Sequence, residues 1–229
     1  MEAVILAGGF GTRLSKIIGD VPKPMAPVSG NPFLFYLFNW LREYPVEKVI
    51  LSVGYKSEFI VSFFGNSFFD IPIIYAVEEK PLGTGGALKY ALGKTKGDNI
   101  MVLNGDTYFP VDINRFYSFH TNGNYKFSVA LQRLENFSRY GSVDCQGSTI
   151  VGFNEKKPCD EGLINGGIYL INRQFIESMQ FPEMFSLEKD LLEKEVILST
   201  IKGIVFDDIF IDIGVPEDYE RAATILHRE

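Results

Sequence analysis

The chain has 229 residues, of which 46% are hydrophobic and 22% charged, the balance of an ordinary globular protein with one sizeable core. A net charge of −7 argues against a general nucleic-acid-binding or anionic-membrane surface, so an anionic ligand would need local basic residues. Two cysteines, Cys145 and Cys159, cannot build a disulfide framework or a thiolate metal cluster and fit a reducing compartment.

The apolar run Ala3-Val4-Ile5-Leu6 reads as a buried first strand. It begins without the basic-then-apolar pattern of a secretory leader, so the expectation is a cytoplasmic protein. No run reaches membrane-spanning length. The strand leads into Ala7-Gly8-Gly9-Phe10-Gly11-Thr12-Arg13-Leu14. Glycines at such a turn let backbone amides converge on an anion, and Arg13 adds a fork suited to phosphate. A plain tight turn is the competing reading. The glycine spacing fits neither the dinucleotide fingerprint nor the phosphate loop of ATPases.

Next comes Val21-Pro22-Lys23-Pro24-Met25-Ala26-Pro27. Prolines on both sides restrict the backbone of Lys23, which is one way to aim an ammonium group. Asn31-Pro32 reads as an N-cap and first helical position for a helix burying Phe33, Leu37, Trp40 and Leu41. Val49 to Val53 is a second strand, Ser57 a cap for a helix through Phe64, and Pro72 to Val77 a third strand. Glu78-Glu79-Lys80-Pro81-Leu82-Gly83-Thr84-Gly85-Gly86 forms a second glycine turn before a helix over Ala87 to Leu92. Ile100 to Leu103 is a fourth strand, ending in Asn104-Gly105-Asp106. This alternation predicts a parallel sheet covered on both faces, with ligands bound beyond the carboxyl ends of its strands.

The second half reads differently. Helices are expected over Asp112 to Thr121, Leu187 to Glu195 and Pro216 to His227. Strands are expected at Phe127 to Leu131, Gly141 to Asp144, Ile150 to Phe153, Gly167 to Ile171, Ile201 to Val205 and Asp208 to Ile211. No repeat, low-complexity linker or clear domain boundary interrupts the chain. The expectation is a single domain, with a nucleotide-binding half over about 1–110 and a sugar-binding half over about 111–229.

Asp106 and Asp212 each close an apolar run, which would project both carboxylates into one crevice. Such a pair suits Mg²⁺, which takes one or two protein oxygens and leaves its other positions to phosphate and water. Turn capping is the bland alternative for each. Glu155 and Lys156 combine a hydroxyl acceptor with a phosphate-neutralising ammonium, or form an ordinary solvated turn. Asn165, before Gly166-Gly167, offers an amide to a polyol, or caps its own turn. With His120 and His227 on separate helices, a histidine-based metal site or triad is poorly supported.

These motifs, taken in order, resemble the signature of the sugar-1-phosphate nucleotidyltransferases, and in detail their guanylyltransferases. The resemblance rests on Leu6 to Leu14, Pro22-Lys23-Pro24, Leu82 to Gly86, Asn104-Gly105-Asp106, Glu155-Lys156, Asn165 to Tyr169 and Asp212 to Tyr219. It implies a three-layer α/β/α Rossmann-like fold with a mixed, mostly parallel sheet. It also implies Mg²⁺-dependent transfer of a nucleotidyl group from NTP to a sugar 1-phosphate, releasing pyrophosphate.

Carried over residue by residue, the nucleotide falls to Leu6, Ala7, Gly8, Gly9, Gly11, Thr12, Arg13, Glu78, Gly83, Thr84 and Asp106. The sugar phosphate falls to Lys23, Gly105, Glu155, Lys156, Asn165 and Gly167, and the metal to Asp106 and Asp212. Arg13, Lys23 and Asp106 carry the catalytic roles. The expected partners are GTP, or another NTP, and a sugar 1-phosphate, in a monomer or homodimer that binds neither nucleic acid nor membrane.

Guanine presents two adjacent donors, whereas uracil presents one donor between acceptors. An ionised Glu78 or Glu79 can only accept, and so favours guanine. A metal-dependent glycosyltransferase would carry Asp-x-Asp where this chain has Asn104-Gly105-Asp106. A non-catalytic nucleotide-sugar sensor has no need for Arg13, Lys23 and both aspartates together.

Overall fold

The computed structural model describes residues 1–9 and 14–226, leaving aside the side chains of Ser15 and Lys16. Gly11, Thr12 and Arg13, and the His227 end of the last helix, lie outside the described residues. In chain order the first half comprises β1 (Glu2–Leu6), α1 (Ser15–Ile18), β2 (Pro27–Val28), β3 (Asn31–Pro32), α2 (Phe33–Leu41), β4 (Lys48–Val53), α3 (Ser57–Phe64), β5 (Ser67–Phe68), β6 (Ile71–Val77), α4 (Gly83–Leu92), β7 (Asn99–Asn104) and β8 (Thr107–Tyr108). The second half comprises α5 (Ile113–Asn122), β9 (Phe127–Phe137), β10 (Gly141–Gln146), β11 (Thr149–Lys156), β12 (Cys159–Asn172), α6 (Arg173–Glu177), α7 (Glu193–Glu195), β13 (Ile201–Phe206), β14 (Ile211–Asp212) and α8 (Pro216–Ile225).

A 10-stranded sheet runs β10-β11-β13-β9-β12-β7-β1-β4-β6-β5. The near-continuous apolar strands β1, β4 and β7 pair in parallel at its centre, as strands buried on both faces do. The second half is antiparallel apart from the parallel β9–β13 ladder, so the sheet is mixed. One face packs Phe33, Leu37 and Phe38 of α2, Ile60 and Phe64 of α3, and Ala222 of α8. The other packs Leu88, Ala91 and Leu92 of α4, Ile176 of α6 and Leu191. This is the expected three-layer arrangement, and truncating a core residue such as Phe38 to alanine should cost about 3–5 kcal/mol.

Four local expectations are corrected. Asn31 does not cap α2: Asn31–Pro32 pairs with Pro27–Val28 as a short ribbon, and Pro32 occupies the cap without a side-chain bond. Lys56, not Ser57, is the cap of α3, in a left-handed conformation with φ of 53°. The strand expected from Asp208 is confined to Ile211–Asp212, and the helix expected over 187–195 begins as a π-helical turn, Leu187–Leu192. At Asn31, pairing with Val28 overrides the local capping signal.

Candidate active site

β7 ends at Asn104 and turns through Gly105, whose amide donates to the Leu6 carbonyl of β1 at 2.9 Å. Asp106 follows at once. β8 then pairs with β14 so that Thr107 lies opposite Asp212. This small ribbon sets the acids side by side, although more than a hundred residues separate them. The Ile213 amide donates to the Asp106 carbonyl at 3.1 Å, and the Gly214 amide to Asp212 Oδ1 at 2.8 Å, fixing both turns.

Lys23 completes the cluster. Pro22 is extended, and Lys23–Met25 forms a single 3₁₀ turn that sends the side chain inward. Its Nζ donates to Asp106 Oδ2 at 2.5 Å and to Asp212 Oδ1 at 3.5 Å, with only 11% of the side chain exposed. Burial pushes the Asp212 carboxyl above its ordinary range, the Asp106 charge pushes it further, and Lys23 opposes both. The space between the carboxylates therefore favours a cation. Two carboxylates with no third ligating side chain among the described residues fit a hard divalent ion that keeps positions for phosphate and water.

The cluster opens onto a crevice of about 610 Å³ at the carboxyl ends of β1, β4 and β7. Leu6, Ala7, Gly8 and Gly9 line it on one side, and Glu78, Gly83 and Thr84 on another. The Gly8 backbone lies so close to Glu78 that a Cβ on Gly8 would come within 2.6 Å of Glu78 Oε1. Glu78 is held by Ser52 Oγ, which donates to Oε1 at 3.3 Å, and by the Leu82 amide, which donates to Oε2 at 3.2 Å. Burial raises its pKa, and these donors counter the rise.

The second glycine turn has a role that its motif does not reveal. Gly83 has φ of +71°, and a Cβ there would sit 2.5 Å from the Phe185 carbonyl oxygen. Gly85 donates its amide to that same carbonyl at 3.0 Å. Thr84 Oγ1 accepts from the Leu187 amide at 2.9 Å and donates to Glu188 Oε2 at 2.8 Å. The turn thus seats the segment around Phe185 and, through it, brings Glu188 to the crevice wall.

Asn165 sits where β12 slips against β9: Asn165 faces Leu131, but the next pair is Tyr169 with Val129. Its Oδ1 accepts from the Gly167 amide and its Nδ2 donates to the Tyr169 hydroxyl, both at 2.9 Å. Gly167, at φ of +71°, packs against the Asn104 side chain. Neither Asn165 nor Tyr169 is among the residues lining the crevice; Tyr169 is fully buried, and its hydroxyl is held neutral by burial and by the nearby charges of Glu188 and Asp106.

Glu155 and Lys156 are exposed at the end of β11 and do not line the crevice. Lys156 pairs with Gly141, and the adjacent Ser142 pairs with Ile164, the neighbour of Asn165. That places Lys156 roughly 10 Å from Asn165, two strand spacings away. Tyr140, Arg139 and Asp218 border Asp212, with Arg139 and Tyr140 both bonding Asp218 Oδ2. The sequence reading did not single out Arg139, Tyr140 or Glu188. A turn with three glycines among four residues was a cue that some other segment packs tightly on it.

Residues 2–229 match the family model described as Nucleotidyl transferase. The chain belongs to the nucleotidyl transferase family. This nucleotidyl transferase is 44% identical over 222 residues to the D-glycero-alpha-D-manno-heptose 1-phosphate guanylyltransferase of Aneurinibacillus thermoaerophilus, covering 97% of this chain and 96% of the relative. It is also 44% identical to the Campylobacter jejuni protein of the same name, over 96% of this chain and 97% of that one. Among solved structures it resembles HddC from Yersinia pseudotuberculosis complexed with GMP-PN, with a TM-score of 0.86 and 35% identity, covering 97% of this chain and 98% of that one. Members of the family typically use a divalent metal, in keeping with the paired carboxylates. Among the described residues, no helix is long and apolar enough to cross a membrane.

Proposed function

We propose that this nucleotidyl transferase moves a guanylyl group from GTP to D-glycero-α-D-manno-heptose 1-phosphate, giving the GDP-sugar and pyrophosphate. The observation that carries the reading is the meeting of Lys23, Asp106 and Asp212 at the mouth of the crevice between the two glycine turns. The nearly full-length likeness to guanylyltransferases for this heptose phosphate supports the choice of substrates.

In the reaction, an oxygen of the sugar phosphate bonds to the α-phosphorus of GTP. The bond from that phosphorus to the oxygen bridging the β-phosphorus breaks, and pyrophosphate leaves. The attacking oxygen is already anionic at neutral pH, so no general base is required. The obstacle is the meeting of two anions in line, which calls for positioning and charge neutralisation.

Lys23 supplies a buried ammonium at the reacting end. Asp106 and Asp212 would hold Mg²⁺, which when bound supplies charge stabilisation and orientation to the α-phosphate. Arg13 is assigned to the departing pyrophosphate through the family resemblance. Residues of about 1–110 form the nucleotide half in this reading, and those of about 111–229 the sugar half. Asn165, Gly167 and Gly105 serve the sugar in this reading, and Glu155 and Lys156 are assigned to it through the family resemblance alone, since they stand outside the lining of the crevice. Glu78 presents acceptors alone, which complement the paired donors of guanine.

The test is a pyrophosphate-release panel crossing GTP, UTP, dTTP, CTP and ATP with heptose, mannose, glucose and N-acetylated sugar 1-phosphates. Turnover is expected to be highest for GTP with the heptose phosphate and to depend on Mg²⁺. A higher rate with mannose 1-phosphate or UTP would reassign the substrate. No release with any pair would overturn the activity.

A further inference from the structure

Glu188 lies outside every motif of the resemblance, yet its side chain lines the crevice. It stands in the π-helical turn Leu187–Leu192, a rare geometry that is concentrated at functional sites. The donors it meets are hydroxyls. Thr84 Oγ1 donates at 2.8 Å and Ser186 Oγ at 3.0 Å, both to Oε2. A carboxylate offers about four lone-pair positions. Its Oε1 has no hydrogen-bond partner among the described residues, and no lysine or arginine among them forms an ion pair with Glu188.

Docking the segment onto the glycine turn needs only Oε2. A second, unsatisfied carboxylate oxygen on the wall of an anion-binding crevice calls for a further donor, because phosphate there would be repelled. Hydroxyl groups meet that requirement. The charge of Glu188 reaches the Tyr169 hydroxyl, which also feels Asp106 and accepts from Asn165 Nδ2 at 2.9 Å. Glu188 and Asp106 line the same crevice.

We infer that Glu188 is a specificity residue whose free oxygen accepts hydrogen bonds from ring hydroxyls of the sugar 1-phosphate. The inference rests on the activity proposed above. Glu188 then supplies an acceptor from the crevice wall. The Thr84 and Ser186 hydroxyls hold the carboxylate in place before substrate arrives.

Steady-state kinetics on the full chain test it, using Glu188→Gln, Glu188→Ala and the docking control Ser186→Ala. Wild type and variants are compared on the preferred sugar 1-phosphate and on its monodeoxy analogues. Both Glu188 variants should raise KM for the sugar 1-phosphate about tenfold or more, the usual worth of a hydrogen bond to a charged acceptor. KM for the nucleotide should stay within about twofold. At least one deoxy analogue should erase the difference between wild type and Glu188→Gln, since the lost hydroxyl is the one being read. Ser186→Ala, which removes one of the two hydroxyls holding the carboxylate, should raise the sugar KM by less than either Glu188 variant does.

An unchanged sugar KM in both Glu188 variants overturns the inference. So does a tenfold gap that persists for every deoxy analogue, which would mark a purely structural role. A rise confined to the nucleotide KM, abolished with 2′-deoxy-GTP, would assign Glu188 to the ribose instead and also overturn it. Absence of turnover by wild type on every sugar 1-phosphate is a different result: it removes the proposed activity, and this inference falls with it.

Discussion

Lys23 Nζ lies 2.5 Å from Asp106 Oδ2 across 83 positions of sequence. The same nitrogen reaches Asp212 Oδ1 at 3.5 Å across 189 positions. One ammonium thus bridges two carboxylates, and the excess negative charge leaves room for a divalent cation where phosphates must gather. Asp106→Ala should lower turnover roughly a hundredfold, about 3 kcal/mol on the barrier, as loss of a charge-stabilising group does. Asp212→Ala should do the same. Pyrophosphate release at saturating substrate over a range of Mg²⁺ concentrations is the measurement, and a near-normal rate at any of them would remove the acid concerned from the mechanism.

Base choice should follow Glu78. An amide places a donor where the carboxylate has an acceptor, and it keeps nearly the same shape. Glu78→Gln should shrink the preference for GTP over UTP by about tenfold, read as the ratio of kcat/KM values. An unaltered ratio would leave Glu78 as a strut holding Ser52 and the Leu82 amide.

Gly83 can be tested for the seating of the segment around Phe185. An alanine there must adopt φ of +71° and meets the Phe185 carbonyl at 2.5 Å. Gly83→Ala should destabilise the fold by about 2 kcal/mol, combining a strained backbone with a steric clash. Urea denaturation gives the number directly. Unchanged stability would mean that the segment moves aside at little cost.

His120 sets an acid limit to stability. Its imidazole is buried in the wall of a separate pocket of about 300 Å³, with Nδ1 2.8 Å from Ser128 Oγ and Nε2 3.2 Å from Asn99 Oδ1. Burial, aided by the charge of Lys126, lowers its pKa from 6.5 to about 4. The unfolded chain therefore takes up a proton that the folded one refuses, and stability falls as pH drops from 6.5 towards 4. Between pH 7 and 5 this amounts to roughly 2 kcal/mol. His120→Asn should flatten the dependence by that amount in urea titrations at the two pH values. An identical slope in the variant would place the acid sensitivity elsewhere.

The central architecture could be read from the chain because buried parallel strands write long apolar runs. Val4, Ile50 and Val102 sit in such runs, and the position of Asp106 just past one puts it at the carboxyl end of a strand by pattern alone. Asp212 was harder. Only two residues of its run, Ile211–Asp212, form a strand, and their partner Thr107–Tyr108 is equally short.

The capping expectations at Asn31 and Ser57 missed for a shared reason. Local hydrogen-bonding preference is worth about 1 kcal/mol and yields to pairing and backbone placement. The seating of Phe185 on Gly83, Gly85 and Gly86 could not be read locally, since the partners are about a hundred residues apart. Glu155 and Lys156 were expected at the sugar, but they stand at the end of β11 and outside the lining of the crevice.

Between Asn165 and Tyr169, β12 carries two more residues than the stretch of β9 it faces. Ladders on both sides remain in register, and the extra backbone is tightly packed: a Cβ on Gly166 would meet Phe109 at 2.5 Å, and one on Gly167 the Asn104 amide at 2.8 Å. A side chain added at Gly166 or Gly167 would therefore press on Phe109 and Asn104, which bracket Asp106 in sequence. The surplus residues thus fasten the Asn165 turn to the strand that delivers Asp106, and a change of shape at one is passed to the other.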